Sequence, residues 1–140
     1  MAIITGTSAN NTLTGTTGDD LISGLEGNDT INGGDGNDHI RPGLGNDRVT
    51  GGNGWDILDI QMAAGSSYVN ILTGIASGPE GDDTFSGIES VIGSRYDDTL
   101  IGNASNNDFE GREGDDYIEG GGGFDRAIFW VGGSVNVDLS

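Results

Sequence analysis

The sequence predicts an all-β solenoid. Three observations predict it: a nine-residue period, one bulky apolar residue at a fixed place in each period, and a composition that cannot fill an ordinary globular core. Of 140 residues, 33% are hydrophobic and 28 are glycine, and the formal net charge is −18. A chain so charged and so poor in apolar surface stays disordered unless something offsets the conformational entropy lost on folding. Stacked repeats can supply a continuous core from units that are individually too small to fold.

Frames starting at 6, 15, 24, 33, 42 and 51 read GTSANNTLT, GTTGDDLIS, GLEGNDTIN, GGDGNDHIR, PGLGNDRVT and GGNGWDILD. Four more start at 93, 102, 111 and 120, reading GSRYDDTLI, GNASNNDFE, GREGDDYIE and GGGGFDRAI. Column eight is Leu13, Ile22, Ile31, Ile40, Val49, Leu58, Leu100, Phe109, Ile118 and Ala127, bulky and apolar in every frame but the last. Flanked by polar residues, as in Thr30-Ile31-Asn32, each has the alternation of a three-residue strand with its middle side chain inward. Strands this short hold only by stacking in register with copies of themselves, which aligns every other column too. Glycine fills column one in all frames but 42 and recurs in column four, which suits a turn with positive φ and close backbone approach.

Column six is Asn11, Asp20, Asp29, Asp38, Asp47, Asp56, Asp98, Asn107, Asp116 and Asp125. Stacking sets these side chains a few ångströms apart, an array that repels itself unless a dication lies between coils. Aspartate and glutamate total 23 against five basic residues and one histidine, a balance that repels nucleic acid and anionic membrane. Hard divalent cations prefer carboxylate and carbonyl oxygen, so calcium is the first candidate and folding should accompany its binding. Without it the chain is expected to be disordered. Cysteine is absent, which excludes disulfides and thiolate metal sites. No run reaches membrane-spanning length, and residues 1–5 lack the basic start and apolar stretch of a secretory signal.

GGDGNDHIR at 33–41 and GGNGWDILD at 51–59 resemble the repeats-in-toxin signature GGxGxDxUx. The resemblance covers about two-thirds of the chain. It implies a right-handed parallel β-roll in which two nonapeptides make one coil, with calcium ions between the stacked glycine-rich turns. Carried over residue by residue, the implied ligand set is Asp20, Asp29, Asp38, Asp47, Asp56, Asp98, Asp116 and Asp125, with Asn11, and the turn residues Gly18, Gly24, Gly27, Gly33, Gly36, Gly45, Gly51, Gly54 and Gly114. The implied pairs are Asp20 with Asp38, Asp29 with Asp47, Asp38 with Asp56, and Asp98 with Asp116; Asn11 with Asp29 and Asn107 with Asp125 match less well. Tyr96 and Ser105 stand where the turn glycine should be, which weakens those frames. The resemblance also implies export through a type I bacterial secretion channel and an extracellular location.

Along the chain, residues 1–59 read as a first roll block and 93–140 as a second, degenerate one. Residues 60–92 read as a return or capping segment, in which GPEGDDTFS at 78–86 is expected to be a copy out of phase with both blocks. Trp55 and Phe124 each place an aromatic at column five of a block's last frame, and Val69-Asn70-Ile71 recurs as Val135-Asn136-Val137. The second block is therefore expected to be cut short, with Ser140 not the natural end.

No catalytic constellation assembles, so the chain is not read as an enzyme. His39, the single histidine, is expected to be a solvent-facing strand residue, and no serine has another base to work with. Adjacent carboxylates such as Asp97-Asp98 follow the repeat; Asp82-Asp83 is the least explained pair. Trp55, Tyr68, Phe124 and Trp130 could form a sugar-stacking platform. The primary reading is a calcium-controlled folding module serving the secretion and stability of a larger protein; the alternative is an extracellular adhesin or polysaccharide-binding accessory.

Overall fold

A computed structural model describes residues 1–129 and 134–139; Trp130 and Ser140, singled out above, lie outside the described residues. The first block runs β1 (Ile3–Thr5), β2 (Thr12–Thr14), β3 (Leu21–Glu26), β4 (Thr30–Asp35), β5 (His39–Leu44), β6 (Arg48–Asn53) and β7 (Ile57–Asp59). The middle segment adds β8 (Tyr68–Asn70), β9 (Ile75–Gly78) and β10 (Gly81–Ser86). The second block adds β11 (Ser90–Ile92), β12 (Thr99–Ile101), β13 (Asp108–Arg112), β14 (Asp116–Glu119), β15 (Arg126–Phe129) and β16 (Val135–Asp138). No helix occurs among the described residues.

The strands form two sheets. The first has the order β1-β3-β5-β7-β11-β13-β15 and the second β16-β14-β12-β8-β9-β10-β6-β4-β2. Strands therefore alternate between sheets within each block, and frames two apart pair in parallel, as Ile22 with Ile40 and Ile31 with Val49. This is the parallel β-roll expected from two nonapeptides per coil. The alternation of column seven to nine survives folding: Thr30, Ile31 and Asn32 are exposed, buried and exposed. The inward rows, Ile22, Ile40, Leu58, Val91 and Phe109 in the first sheet and Ile31, Val49, Phe85, Val69, Leu100 and Ile118 in the second, join one hydrophobic cluster.

Residues 60–92 supply intervening strands with a return within the stack, and correct the expected phase. Here β10 pairs in parallel with β6, β9 runs antiparallel to β10 and to β8, and β8 pairs in parallel with β12. Three strands thus stand in the second sheet where one would do, while β7 and β11 pair directly in the first. An odd number is required for the chain to leave in the direction it entered. The two extra strands widen the second sheet by about 10 Å at an interstrand spacing of about 4.8 Å.

The frame at 78–86 is also in phase with the first block. Gly78 lies three periods of nine beyond Gly51, and Thr84, Phe85 and Ser86 stand opposite Arg48, Val49 and Thr50. The second block takes its phase from a frame at 84–92, which overlaps the first by three residues and puts Val91 opposite Leu58. The likeness of Val135-Asn136-Val137 to Val69-Asn70-Ile71 is one of sequence alone, because β16 pairs back to β14 whereas β8 pairs forward to β12.

Candidate metal centre

The turns come in two forms. In frames 24, 33, 42, 51, 111 and 120, columns two and four are both left-handed, with φ between 74° and 140°. Column two is then Leu25, Gly34, Gly43, Gly52, Arg112 or Gly121. Frames 6, 15, 93 and 102 carry Thr7, Thr16, Ser94 and Asn103 there, none of them left-handed. Positive φ therefore belongs to columns two and four, not to one and four as expected.

Column one is glycine for lack of space. A Cβ on Gly24 would strike the Asp29 carboxylate and the Pro42 carbonyl, and one on Gly33 the Asp38 carboxylate and the Gly51 carbonyl. Gly51 faces Asp56 and the Gly87 carbonyl in the same way, and Gly111 and Gly120 face Asp116 and Asp125. Glycine in column one thus leaves open a cradle where a carboxylate oxygen and, in the first three, a carbonyl of the next coil converge. A Cβ on a column-four glycine would strike the coil beneath: on Gly45 and Gly54 the carbonyls of Gly27 and Gly36, and on Gly27, Gly36 and Gly114 the backbone of Ala9, Gly18 and Tyr96. Gly18 has open space around it, so nothing in the packing requires glycine there.

Column six forms a ladder across the coils. One carboxylate oxygen of each residue accepts the amide N–H of the column-six residue one coil back. These bonds are Asp20 to Asp38 at 2.8 Å, Asp29 to Asp47 at 2.7 Å, Asp38 to Asp56 at 2.8 Å and Asp98 to Asp116 at 3.0 Å. The N–H groups of Asn11 and Asn107 reach Asp29 and Asp125 likewise, so all six expected pairs are brought together. Two members escaped the sequence reading. Asp83 accepts the Asp47 N–H at 2.8 Å, and Glu89 accepts that of Asp56 at 2.9 Å. Their signal was the repeat itself, at column six of frames 78 and 84.

The second oxygen separates the two turn forms. In Asp29, Asp38, Asp47, Asp56, Asp116 and Asp125 it is buried with no hydrogen-bond partner among the described residues. These are the six frames with a left-handed column two. In the other four the side chain is capped by its own turn: Thr16 donates its N–H and hydroxyl to Asp20 at 2.6 and 2.9 Å, and Ser94 donates its N–H to Asp98 at 2.6 Å. The N–H groups of Thr7 and Asn103 cap Asn11 and Asn107.

Burial raises the carboxyls of Asp38, Asp47, Asp56, Asp98 and Asp116 above their ordinary value, against the pull of ladder or turn amides. Neighbouring carboxylates push further, and burial takes Asp83 to about 7. Asp20 moves the other way, its charge held by the Ala2 and Thr16 amides despite burial. Column five makes a parallel amide-to-side-chain ladder, from Asn28 to Asn10 and Asn46 to Asn28, which Asp82 joins through Asn46; the pair Asp82-Asp83 is thereby accounted for.

Among the described residues no three acidic or histidine side chains converge, so side chains alone do not complete a metal site. What the open turns offer is one orphaned anionic oxygen each, in frames 24, 33 and 51 beside a carbonyl oxygen, a hard donor set free of nitrogen and sulfur. It suits calcium, which accepts many oxygen ligands in irregular geometry. A family model of the RTX calcium-binding nonapeptide repeat matches the chain in four copies, over residues 5–40, 43–59 and 92–127. The chain belongs to this family. No curated protein matches it. The RTX match omits residues 60–91, where the overlapping frames interrupt the period.

The RTX ladder leaves the remaining candidates outside it. His39, expected to face solvent, instead pairs with Asp59 at 2.6 Å. Arg41 and Gln61 complete the partners of Asp59; burial opposes its charge, but these donors together hold its carboxyl below the ordinary value. Trp55 and Phe124 stand on one row of turns three coils apart, about 14 Å by strand spacing, and Tyr68 lies on the second sheet. They do not form a single platform.

Proposed function

We propose that this RTX module is a folding switch set by calcium, in which the ions load the open turns of frames 24, 33, 42, 51, 111 and 120. The observation that carries the reading is the set of six buried carboxylate oxygens without partners. Each is costly in metal-free protein and becomes a ligand when a dication arrives. Asp29 with the Pro42 carbonyl, Asp38 with the Gly51 carbonyl and Asp56 with the Gly87 carbonyl are the best-defined donor pairs, and Asp47, Asp116 and Asp125 head the remaining turns. The self-capped Asp20, Asp98, Asn11 and Asn107 serve the ladder instead. Blocks 1–59 and 93–140 are then the loading units, with 60–92 tied to the first through both Asp83 and Glu89.

The family implies the wider role: the chain stays unfolded where calcium is scarce, passes a type I export channel, and folds outside the cell to stabilise a larger protein. RTX repeats occur in secreted bacterial proteins, and no helix among the described residues is long and apolar enough to cross a membrane. Far-UV circular dichroism during a calcium titration tests the switch. A cooperative gain of β-structure is expected; a chain equally β-structured in excess chelator overturns it. The adhesin reading has only isolated aromatics behind it, chiefly the exposed Phe124.

A further inference from the structure

Outside the metal ladder, three exposed large apolar side chains line one groove: Leu25, Leu44 and Met62, at 45, 50 and 77%. With Ala64, Arg41 and Glu80 they line a groove of about 380 Å³, at the low end of the range for small-ligand sites. It lies between the turns of frames 24 and 42 and the chain that follows β7.

Two features mark it as more than incidental surface. Leu25 is held at φ 78°, and apart from Arg112 it is the sole non-glycine residue in that region among the described residues. The corresponding residues of the next three turns are Gly34, Gly43 and Gly52, which adopt it without penalty. A leucine here is therefore kept against a local cost, and its side chain faces the groove. The second feature is Glu80, a half-buried carboxylate with neither a hydrogen bond nor an ion pair among the described residues. Burial, with Asp83, Asp59 and Asp47 nearby, pushes it up to about 7. The basic side chain in the lining, Arg41, is already matched by Asp59 at 2.7 Å. The groove thus combines an apolar floor with one uncompensated negative group.

We propose that this groove binds a small organic cation, an ammonium group carried on a short apolar chain, with Leu25, Leu44 and Met62 covering the chain and Glu80 receiving the ammonium. None of the four is a column-six carboxylate, and Leu25→Gly keeps column two of frame 24 left-handed, so the groove can be altered while that turn stays open.

The test is a titration of the calcium-saturated chain with hexylammonium, hexanol and hexanoate at constant ionic strength, read by NMR at the methyl groups of Leu25, Leu44 and Met62. Saturable shifts are expected to be strongest with hexylammonium and weakest with hexanoate. Glu80→Gln should weaken hexylammonium about tenfold and leave hexanol unchanged. Leu25→Gly should weaken both while the thermal midpoint holds or rises, because glycine suits that φ; this variant separates lost binding from lost folding. Equal shifts with hexanoate, no saturable shift with any of the three, or unchanged binding in Leu25→Gly would each overturn the proposal.

Discussion

Asp38 and Asp20 occupy the same column two frames apart and differ in what their second carboxylate oxygen meets. For Asp38 it meets nothing, and for Asp20 it meets the N–H and hydroxyl of Thr16. The contrast goes with column two, left-handed Gly34 against Thr16, whose N–H and hydroxyl close a local turn onto the aspartate. Asp38→Ala is expected to lower the number of bound calcium ions, counted by native mass spectrometry, and to raise the folding midpoint in calcium. Asp20→Ala should leave the ion count intact and lower stability only through the lost amide and hydroxyl bonds of Ala2 and Thr16. Equal loss of ions in both variants would contradict the division into open and closed turns. Ten members of column six were legible as repeat residues, all but Asp83 and Glu89; which are open was not, because that depends on the φ of a residue four positions earlier.

At the scale of elements, β10 is the test of how the interrupted region works. Phe85 is buried in the inward row beside Val49, and its strand carries Asp83 into the ladder. Phe85→Ala should therefore destabilise the calcium-loaded protein by about 3 kcal/mol, as a core truncation does, measured by urea unfolding. A loss within the surface range of about 0.5 kcal/mol would mean that the middle segment is only draped on the roll. The phase of frame 78 is legible by counting nines, and so is that of frame 84. Their overlap by three residues hides both, since one residue then serves two columns: Thr84 is column seven of one frame and column one of the next. The antiparallel order β8-β9-β10 has no such signal, because short apolar runs do not say which neighbour they pair with.

Over the whole molecule, charge and burial oppose each other until a cation arrives. The carboxyls of Asp38, Asp47, Asp56, Asp98 and Asp116 are raised by burial, and Asp83 and Glu80 to about 7; Asp20, Asp59 and Asp115, lowered, are outnumbered. A carboxyl whose folded value lies above its unfolded value contributes stability that is present below the unfolded value and lost as pH rises through the folded one. Metal-free protein is therefore expected to gain β-structure as pH falls from about 7 towards about 4, the interval between folded Asp83 and an unfolded carboxyl. With calcium the dependence should reverse, because the ion requires the carboxylates ionised. Circular dichroism in chelator at both ends of that interval checks the first half. Less β-structure at the acid end would show that the buried carboxylates are not what keeps the metal-free chain unfolded.

The sequence by itself determined the roll, its inward column and its ladder of carboxylates, because a nine-residue period repeats one set of local preferences and stacking needs no other instruction. Only the tertiary structure decided which turns are open, how residues 60–92 thread the second sheet, and where Leu25, Met62 and Glu80 meet. Each of these depends on groups brought together from distant parts of the chain, or on a backbone conformation that a column of letters does not display. The period shows which residues are equivalent, and the fold shows where equivalent residues are put to different use.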